Sequence, residues 1–489
     1  MHYLLAIDQG TSSTRAMLFT KTGELVKMSQ HQLTQFYPHP GWVEHDPEEI
    51  WQTTLLSIRE VIASIPVNKI ITCGITNQRE TTLIWDKQTN KCLAPAIVWQ
   101  DRRTSEYCLS LAKYAPVIQA KTGLLLDPYF SASKLHWLLK NIPNVDVLLA
   151  QNRLGFGTID SFLIYRLTAA ASHLTDITNA SRTQLFNIHT QQWDDELLDI
   201  FAIPKKILPE VCASDANFGN INKDFFGSEI PINGVAGDQQ AAMIGQGCVE
   251  NGMVKATFGT GGFLMLNTDI NPVESKHKLL TTIAYKIGGK TIYGLEGSLY
   301  QAGTTVKWLR DELKIITTSS ETKDLAESLT SNEGVYFVPS FTGLGAPHWL
   351  SIKGALIIGL SRTSNRAHFA RAALESVCYQ TRDILVAMGI DSNIPISILR
   401  VDGGMAANNW MLQFLASLCG IEVARPNCIE TTAQGAAMLA AIGNGVMDLE
   451  YVSKHWVCDE QFKPLANMTK MDEYYNGWLQ ALDMAKAGV

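Results

Sequence analysis

The sequence predicts an α/β protein of two duplicated domains that face each other across a cleft, and three observations carry that expectation. An apolar run at 5–7 stops at Asp8, passes through Gln9-Gly10-Thr11-Ser12-Ser13-Thr14-Arg15, and returns to an apolar run at 16–19. The segment Val254-Lys255-Ala256-Thr257-Phe258-Gly259-Thr260-Gly261-Gly262-Phe263-Leu264-Met265-Leu266 repeats the plan of strand, Gly/Thr tip and strand. Strand-length apolar runs elsewhere alternate with helical patterns, the arrangement in which helices cover a sheet.

Taken in order, strands are expected at about 3–8, 14–20 and 24–31. Asp46-Pro47-Glu48-Glu49 has the chemistry of a helix start: Asp as N-cap, Pro at the first helical position, and Glu three residues on. The helix that follows carries Ile50, Trp51, Leu55, Ile58 and Ile62 on one face. A buried strand at 70–75, a polar stretch at 76–82 and a strand at 83–85 come next. A small-residue helix over 239–247 closes the first half, and the second begins with the strand at 254. Further on, Leu399-Arg400-Val401-Asp402 ends in Gly403-Gly404, and a helix bearing Trp410, Met411, Phe414 and Leu415 is expected to begin at once. The division is therefore placed near 245–252, giving units 1–247 and 248–489; a chain of 489 residues exceeds one ordinary core.

Composition narrows the function classes. Hydrophobic residues are 46% and charged residues 18%, a globular balance. Net charge is −7, from 40 basic and 47 acidic side chains with no basic block, which argues against a nucleic-acid or acidic-membrane partner. No apolar stretch is long enough to span a bilayer, and 1–7 lacks the basic region and apolar core of a signal peptide. Nine cysteines without a CxxC spacing read as buried free thiols, so a reducing cytoplasm is expected. No His-Glu-x-x-His or Cys/His cluster argues for a structural metal.

The hairpin tips carry the chemistry. Gly10 lets a backbone approach closely, the Thr and Ser hydroxyls with nearby N–H groups can surround phosphate oxygens, and Asp8 can hold a hydrated divalent cation. An ordinary polar hairpin tip is the plainer alternative for that segment alone. Two such tips and a Gly-Gly turn leading to a helix, in this order, favour a nucleotide.

These residues resemble the FGGY family of carbohydrate kinases, within the actin-like (ribonuclease H-like) ATPase superfamily. The resemblance rests on Asp8-Gln9-Gly10-Thr11, Gly259-Thr260-Gly261 and Asp402-Gly403-Gly404. It extends to the segment from Tyr129 to Leu138 and to Gly359-Leu360 leading to His368-Phe369-Ala370-Arg371. Within the family the chain is most similar to members that phosphorylate glycerol. Pro40-Gly41-Trp42-Val43-Glu44-His45-Asp46-Pro47, Ile75-Thr76-Asn77-Gln78-Arg79-Glu80-Thr81 and Ile97-Val98-Trp99-Gln100-Asp101-Arg102-Arg103 carry that similarity. Ala236-Gly237-Asp238-Gln239-Gln240 and the segment from Pro339 to Pro347 add to it, and the likeness thins only after about Met447.

The resemblance implies ATP-dependent phosphorylation of glycerol to sn-glycerol 3-phosphate by direct in-line transfer, in glycerol catabolism, with ATP and Mg2+ as cofactors. Asp238 would be the general base, although its position also suits a cap for the helix that follows. Arg79, Glu80, Trp99, Tyr129, Asp238, Gln239 and Phe263 would form the polyol pocket. Arg79 and Glu80 would act as donor and acceptor to hydroxyls, Trp99 and Phe263 would cover the carbon chain, and Tyr129 would add a hydroxyl at the rim. A surface ion pair is the alternative for Arg79-Glu80, and core packing is the alternative for the three aromatics. Thr11, Ser12, Ser13 and Arg15 resemble a γ-phosphate hairpin and Thr260 a second phosphate hairpin. Gly303, Gly404 and Asn408 resemble other nucleotide contacts, and Asp8 with Asp238 would hold Mg2+.

Departures from the family pattern are informative. Lys307 stands where many relatives carry Gln and is expected to be solvated. In Phe226-Gly227-Ser228-Glu229 an acid replaces the Arg of a sugar-bisphosphate loop, and Asp224 occupies the place of a phosphorylatable His. The tail segment 464–468 lacks the pattern that docks a phosphotransfer-system partner, so both controls are expected to be absent. Relatives form dimers and tetramers, and a homodimer or homotetramer is expected. Two other functions stay open: a family kinase for another polyol or ketose, and a catalytically silent nucleotide sensor on the same fold.

Overall fold

The computed structural model describes residues 2–350, 354–465 and 468–488. Two mixed sheets organise it. The first contains β1 (Tyr3–Gln9), β2 (Ser13–Thr20), β3 (Leu25–Gln32), β4 (Ile70–Asn77), β5 (Asn220–Ile221) and β6 (Ile230–Gly237), in the order β5-β6-β4-β1-β2-β3. The second contains β7 (Val254–Phe258), β8 (Gly262–Asn267), β9 (Leu280–Ile287), β10 (Lys290–Leu299), β11 (Ile398–Asp402), β12 (Glu422–Pro426) and β13 (Cys458–Phe462), in the order β9-β10-β8-β7-β11-β12-β13.

The duplication extends beyond the hairpins. The run β3-β2-β1-β4-β6 pairs antiparallel, antiparallel, parallel, parallel. The run β10-β8-β7-β11-β12 does the same. Each is closed by an antiparallel edge strand, but β5 precedes β6 in the chain whereas β13 follows β12.

Parallel neighbours need crossover connections, and helices supply them. Seven helices matter for the site: α1 (Pro47–Ile62), α2 (Asp238–Gly245), α3 (Gly303–Asp311), α4 (Arg366–Ser392), α5 (Asn409–Cys419), α6 (Thr431–Gly443) and α7 (Met468–Ala487). In α1, Asp46 is the N-cap, accepting from the Glu48 N–H at 2.9 Å, and Ile50, Trp51, Leu55, Ile58 and Ile62 are all buried. Glu49 does not complete a capping box; its carboxylate accepts from the Thr34 N–H at 3.2 Å and hydroxyl at 3.0 Å, tethering the helix to the chain after β3.

The halves are joined by backbone contact. Helix α6, from the second half, lies across β1, β4 and β6 of the first. A Cβ at Gly74 would meet the Ala436 carbonyl oxygen at 2.0 Å, and one at Gly234 the Ala440 nitrogen at 2.3 Å. Helix α6 also crosses α2, where a Cβ at Gly435 would fall 1.8 Å from the Ala241 carbonyl oxygen. One apolar cluster accordingly draws Leu4, Ala6, Met17 and Phe19 together with Met265, Tyr285, Ala436 and Leu439. Asp402, ending β11, accepts from Gln246 just past α2 at 2.7 Å and from Thr431 at the start of α6 at 2.5 Å.

The strand expected at 83–85 is found as Leu83–Asp86, pairing with Leu154–Gly157 outside the main sheet. Other expectations are corrected. The helix after Gly403-Gly404 does not begin at once: a 3-10 turn, Gly404–Ala407, intervenes before α5. Gly403 crosses the end of β7 at φ +86°, where a Cβ would lie 2.5 Å from the Phe258 oxygen. Burial of the cysteines fails at Cys458, which is exposed on the edge strand β13; Cys73, Cys108, Cys248 and Cys378 are buried. Of the tail segment 464–468, Ala466 and Asn467 lie outside the described residues. Among the described residues no helix is long and apolar enough to cross a membrane.

Candidate active site

The cleft between the halves is floored by an ionic network that begins where β4 ends. Arg79 and Glu80 are no more than 3% exposed, so the surface ion pair is excluded. Their own closest approach is 4.0 Å, and each is held by other residues. The Arg79 Nε lies 3.1 Å from Asp238 Oδ1, while its Nη1 and Nη2 both donate to Glu296, the latter at 3.1 Å. Arg182 donates from Nε to Glu80 Oε1 at 2.6 Å and from Nη2 to Glu296 Oε1 at 3.0 Å. Buried charges persist only when paired and hydrogen-bonded, which two cations and two anions achieve here. Burial opposes ionisation of Glu296, yet the Arg182 and Arg79 guanidiniums hold its carboxyl down to about 2. Burial pushes the Glu80 carboxyl up against the opposing pull of Arg182 and Arg79. Glu80 itself adopts φ +62°, a left-handed turn that takes the chain sharply away from β4.

The aromatic residues come together over this floor. Trp99 meets Tyr129 and Phe263 edge-on, with ring centroids 5.5 and 6.2 Å apart, and the Arg79 guanidinium lies 5.9 Å from the Phe263 ring. Trp99 Nε1 donates to Thr11 Oγ1 at 2.9 Å, tying the aromatic wall to the first hairpin tip. Tyr129 is not at a rim. It is 8% exposed, packed against Phe130 and facing the Arg182 guanidinium at 5.6 Å.

Asp238 is the first residue of α2, and Gly237 is the N-cap. The cap role foreseen for Asp238 is therefore displaced by one residue, although its Oδ1 accepts from the Gln239 N–H at 2.7 Å. With its side chain 31% exposed, Asp238 is the one carboxylate of this group that solvent reaches; those of Glu80 and Glu296 are at 2% or less. Gln239 receives a hydrogen bond from Lys255 Nζ, which also donates to Thr257 Oγ1 at 3.1 Å. Burial lowers the Lys255 ammonium to about 8 against the pull of Asp402 and Asp238.

The first hairpin tip is closed by Gly10 N–H donating to the Ser13 oxygen at 2.9 Å. Gln78 braces it from just past β4, its Nε2 donating to Gln9 Oε1 at 3.1 Å and to the Gly10 oxygen at 3.2 Å. Thr11 is half-buried, Ser12 exposed and Ser13 buried at the start of β2. Asp8 and Arg15 stand opposite in register, with Arg15 Nη2 2.7 Å from Asp8 Oδ2. Arg15 Nη1 donates to Glu430 Oε2 at 2.6 Å, a contact between the halves. Burial raises the Asp8 carboxyl, opposed chiefly by Arg15.

On the opposite wall, Gly303 opens α3 with its N–H donating to the Gly259 oxygen at 2.9 Å, close enough that a Cβ would fall 2.6 Å from that oxygen. The Met405 side chain is 3.9 Å from the same point, so the second hairpin, the α3 start and the 404–407 turn meet. Thr260 uses its carbonyl to receive the Ala302 and Thr304 N–H groups, at 3.0 and 3.2 Å. A Cβ at Gly404 would meet open space. The Asn408 side chain is turned to its own helix, accepting from the Met411 N–H at 3.1 Å as the α5 N-cap and donating to Thr322 at 3.3 Å. Lys307 is exposed on α3.

Family models match residues 3–245 with the N-terminal domain, and residues 254–443 with the C-terminal domain, of the FGGY family of carbohydrate kinases. The chain belongs to the FGGY family of carbohydrate kinases. It is 50% identical to a glycerol kinase of Ectopseudomonas mendocina over 99% of both chains. With a glycerol kinase of Coxiella burnetii it shares 49% identity over 98% of this chain and 97% of the other. Its fold superposes on the glycerol kinase of Plasmodium falciparum solved with ADP at a TM-score of 0.93, with 37% identity, covering 99% and 98% of the two chains. The xylulose kinase of Lactobacillus acidophilus shares the fold alone, at a TM-score of 0.89 and 22% identity over 100% and 98%.

Sequence reasoning missed four charged residues of this FGGY cleft: Arg182, Lys255, Glu296 and Glu430. Lys255 and Glu296 had a usable signal, since each is a charge flanked by apolar or glycine neighbours inside a strand, and such a charge needs a partner. Arg182 and Glu430 lie in polar segments, where nothing local marks them.

Proposed function

We propose that this chain transfers the γ-phosphoryl group of ATP to a terminal hydroxyl of glycerol, giving sn-glycerol 3-phosphate and ADP. The observation that carries the reading is the gathering of Asp238, Arg79 and Glu80 beside Trp99 and Phe263, polar anchors next to an apolar cover, the combination a short polyol needs. Likeness to glycerol kinases along the whole chain supports the choice of substrate.

Phosphoryl transfer asks a protein chiefly for positioning and charge stabilisation. Asp238 takes the proton of the attacking hydroxyl as its oxygen bonds to the γ-phosphorus and the bond from phosphorus to ADP breaks. The Arg79 Nε, 3.1 Å from Asp238 Oδ1, holds that carboxylate in place. Arg79 and Glu80 hold the remaining hydroxyls, Trp99 and Phe263 cover the carbons, and Tyr129 and Gln239 complete the pocket. Thr11, Ser12, Ser13 and Arg15 line the γ-phosphate, and Thr260 a second phosphate. Gly303, packed against the second hairpin, contacts the nucleotide, and Gly404 leaves room at its adenosine end, which Asn408 flanks. In this role Arg15 must exchange its carboxylate partners for phosphate oxygens.

No cluster of three or more metal-ligating side chains occurs among the described residues. Asp8 and Asp238 are hard oxygen donors, a set that suits a Mg2+ ion keeping most of its waters, so the residues present fit that ion. When bound it neutralises phosphate charge. The division at 247/248, a cytoplasmic setting and a homodimer or homotetramer belong to the same proposal. Absence of sugar-bisphosphate control is supported by Glu229, an exposed acid accepting from Asn220 at 2.9 Å, and absence of phosphotransfer control by Asp224.

Coupled ADP release with Mg-ATP over a panel of polyols and ketoses tests the reading. Strong turnover confined to glycerol, and unaffected by fructose bisphosphate at fixed ionic strength, is the expected result. Turnover on another polyol overturns the pocket assignment, and silence on every substrate with ATP still bound overturns catalysis.

A further inference from the structure

Glu296 lies within β10 of the second half and is completely buried, yet both of its ionic partners, Arg79 and Arg182, belong to the first half. Its carboxylate meets both Nη groups of Arg79, a two-point contact that fixes the plane of the guanidinium and not merely its position. The remaining nitrogen, Nε, is thereby aimed at Asp238. Strand β10 then runs on to Leu299, and four residues later Gly303 opens α3 against the second hairpin. One strand thus sets both the orientation of the polyol anchor and the wall on the nucleotide side.

We propose that Glu296 is a positioning residue for the polyol site, contributed by the half that carries the second hairpin, and that it acts by orienting Arg79 and by neutralising Arg182. The proposal rests on the polyol-kinase reading above. Without the Glu296 charge, Arg79 and Arg182 share Glu80 as their one remaining fully buried carboxylate, and the guanidinium of Arg79 loses the contact that defines its plane. Asp238 keeps its place at the start of α2 in either case. The loss therefore falls on recognition of the polyol more than on recognition of ATP.

The test compares wild type with Glu296→Gln and with Glu296→Asp, which retains the charge on a shorter arm. Steady-state ADP release gives KM for glycerol and for ATP. Quenching of tryptophan fluorescence by glycerol gives binding independently of turnover, since Trp99 lines the pocket. Glu296→Gln is expected to weaken glycerol by roughly 10- to 100-fold in KM and in binding, the range of a hydrogen bond to a charged group, with the ATP KM changed less than about threefold. Glu296→Asp is expected to recover part of that loss. An unchanged glycerol KM, or equal rises in both KM values, overturns the role of Glu296. If Glu296→Gln does not fold, Glu296→Asp decides alone: a selective rise for glycerol supports the role, and wild-type constants or an equal rise in both overturn it. If wild type prefers another polyol, the substrate assignment falls by itself, and the same comparison on that polyol decides Glu296. Silence of wild type on every polyol, without binding of any, overturns both.

Discussion

Asp238 and Asp176 are acids whose surroundings set opposite chemistry. Asp238 opens to solvent beside Arg79, which suits a base that must exchange protons with a substrate. Asp238→Asn is expected to leave the thermal midpoint within about 2 °C and to lower kcat roughly 10²- to 10⁴-fold, checked by calorimetry and coupled ADP release. Near-normal kcat removes Asp238 from the base role. Asp176 is fully buried, and burial, aided by neighbouring Asp160, raises its carboxyl to about 7 in spite of the Asn179 and Thr178 N–H groups it accepts. The folded state therefore holds that proton more tightly than the unfolded chain. The stabilising contribution is fully present below the unfolded value of about 4 and is lost as pH rises to about 7. Asp176→Asn is expected to flatten the pH dependence of the thermal midpoint between pH 4 and 7; an unchanged slope contradicts the assignment.

At the scale of elements, glycine decides where helices can meet. Gly435→Ala forces a methyl into the Ala241 carbonyl at the crossing of α2 and α6. A loss of roughly 2–4 kcal/mol in urea unfolding is expected, because backbone on both sides cannot yield. Gly404→Ala places its methyl in open space, so stability is expected to hold while the ATP KM rises. A destabilised Gly404→Ala with unchanged ATP affinity argues that the turn is structural only. Much of this level was legible in the chain: the first hairpin and the α1 start follow from residue periodicity and cap chemistry, and both are found. The 3-10 turn before α5 was not, because it answers to the end of β7, a strand more than 140 residues earlier.

For the molecule as a whole, α6 belongs to the second half by sequence and to the first by packing. It covers the face of β1, β4 and β6, so a fragment ending at residue 247 leaves Leu4, Ala6, Ile244 and their neighbours without their cover. That fragment is expected to be insoluble or to bind the dye ANS strongly, whereas the whole chain does not. A soluble fragment with native near-ultraviolet dichroism contradicts the shared core.

The sequence by itself determined the local grammar of this protein and the places of its candidate site residues: two Gly/Thr hairpin tips, a capped helix, and Arg79, Glu80 and Asp238 just past the ends of strands. Those features depend on turn geometry, on periodicity and on residues a few places apart, which a linear chain displays directly. Only the tertiary structure decided who partners whom. Arg182 meets Glu80 across 102 residues within the first half, and Arg79 meets Glu296 across 217, between halves that no local pattern brings into register. A buried charge is stable only when its counter-charge arrives, and that arrival is fixed by how two sheets pack around α2 and α6.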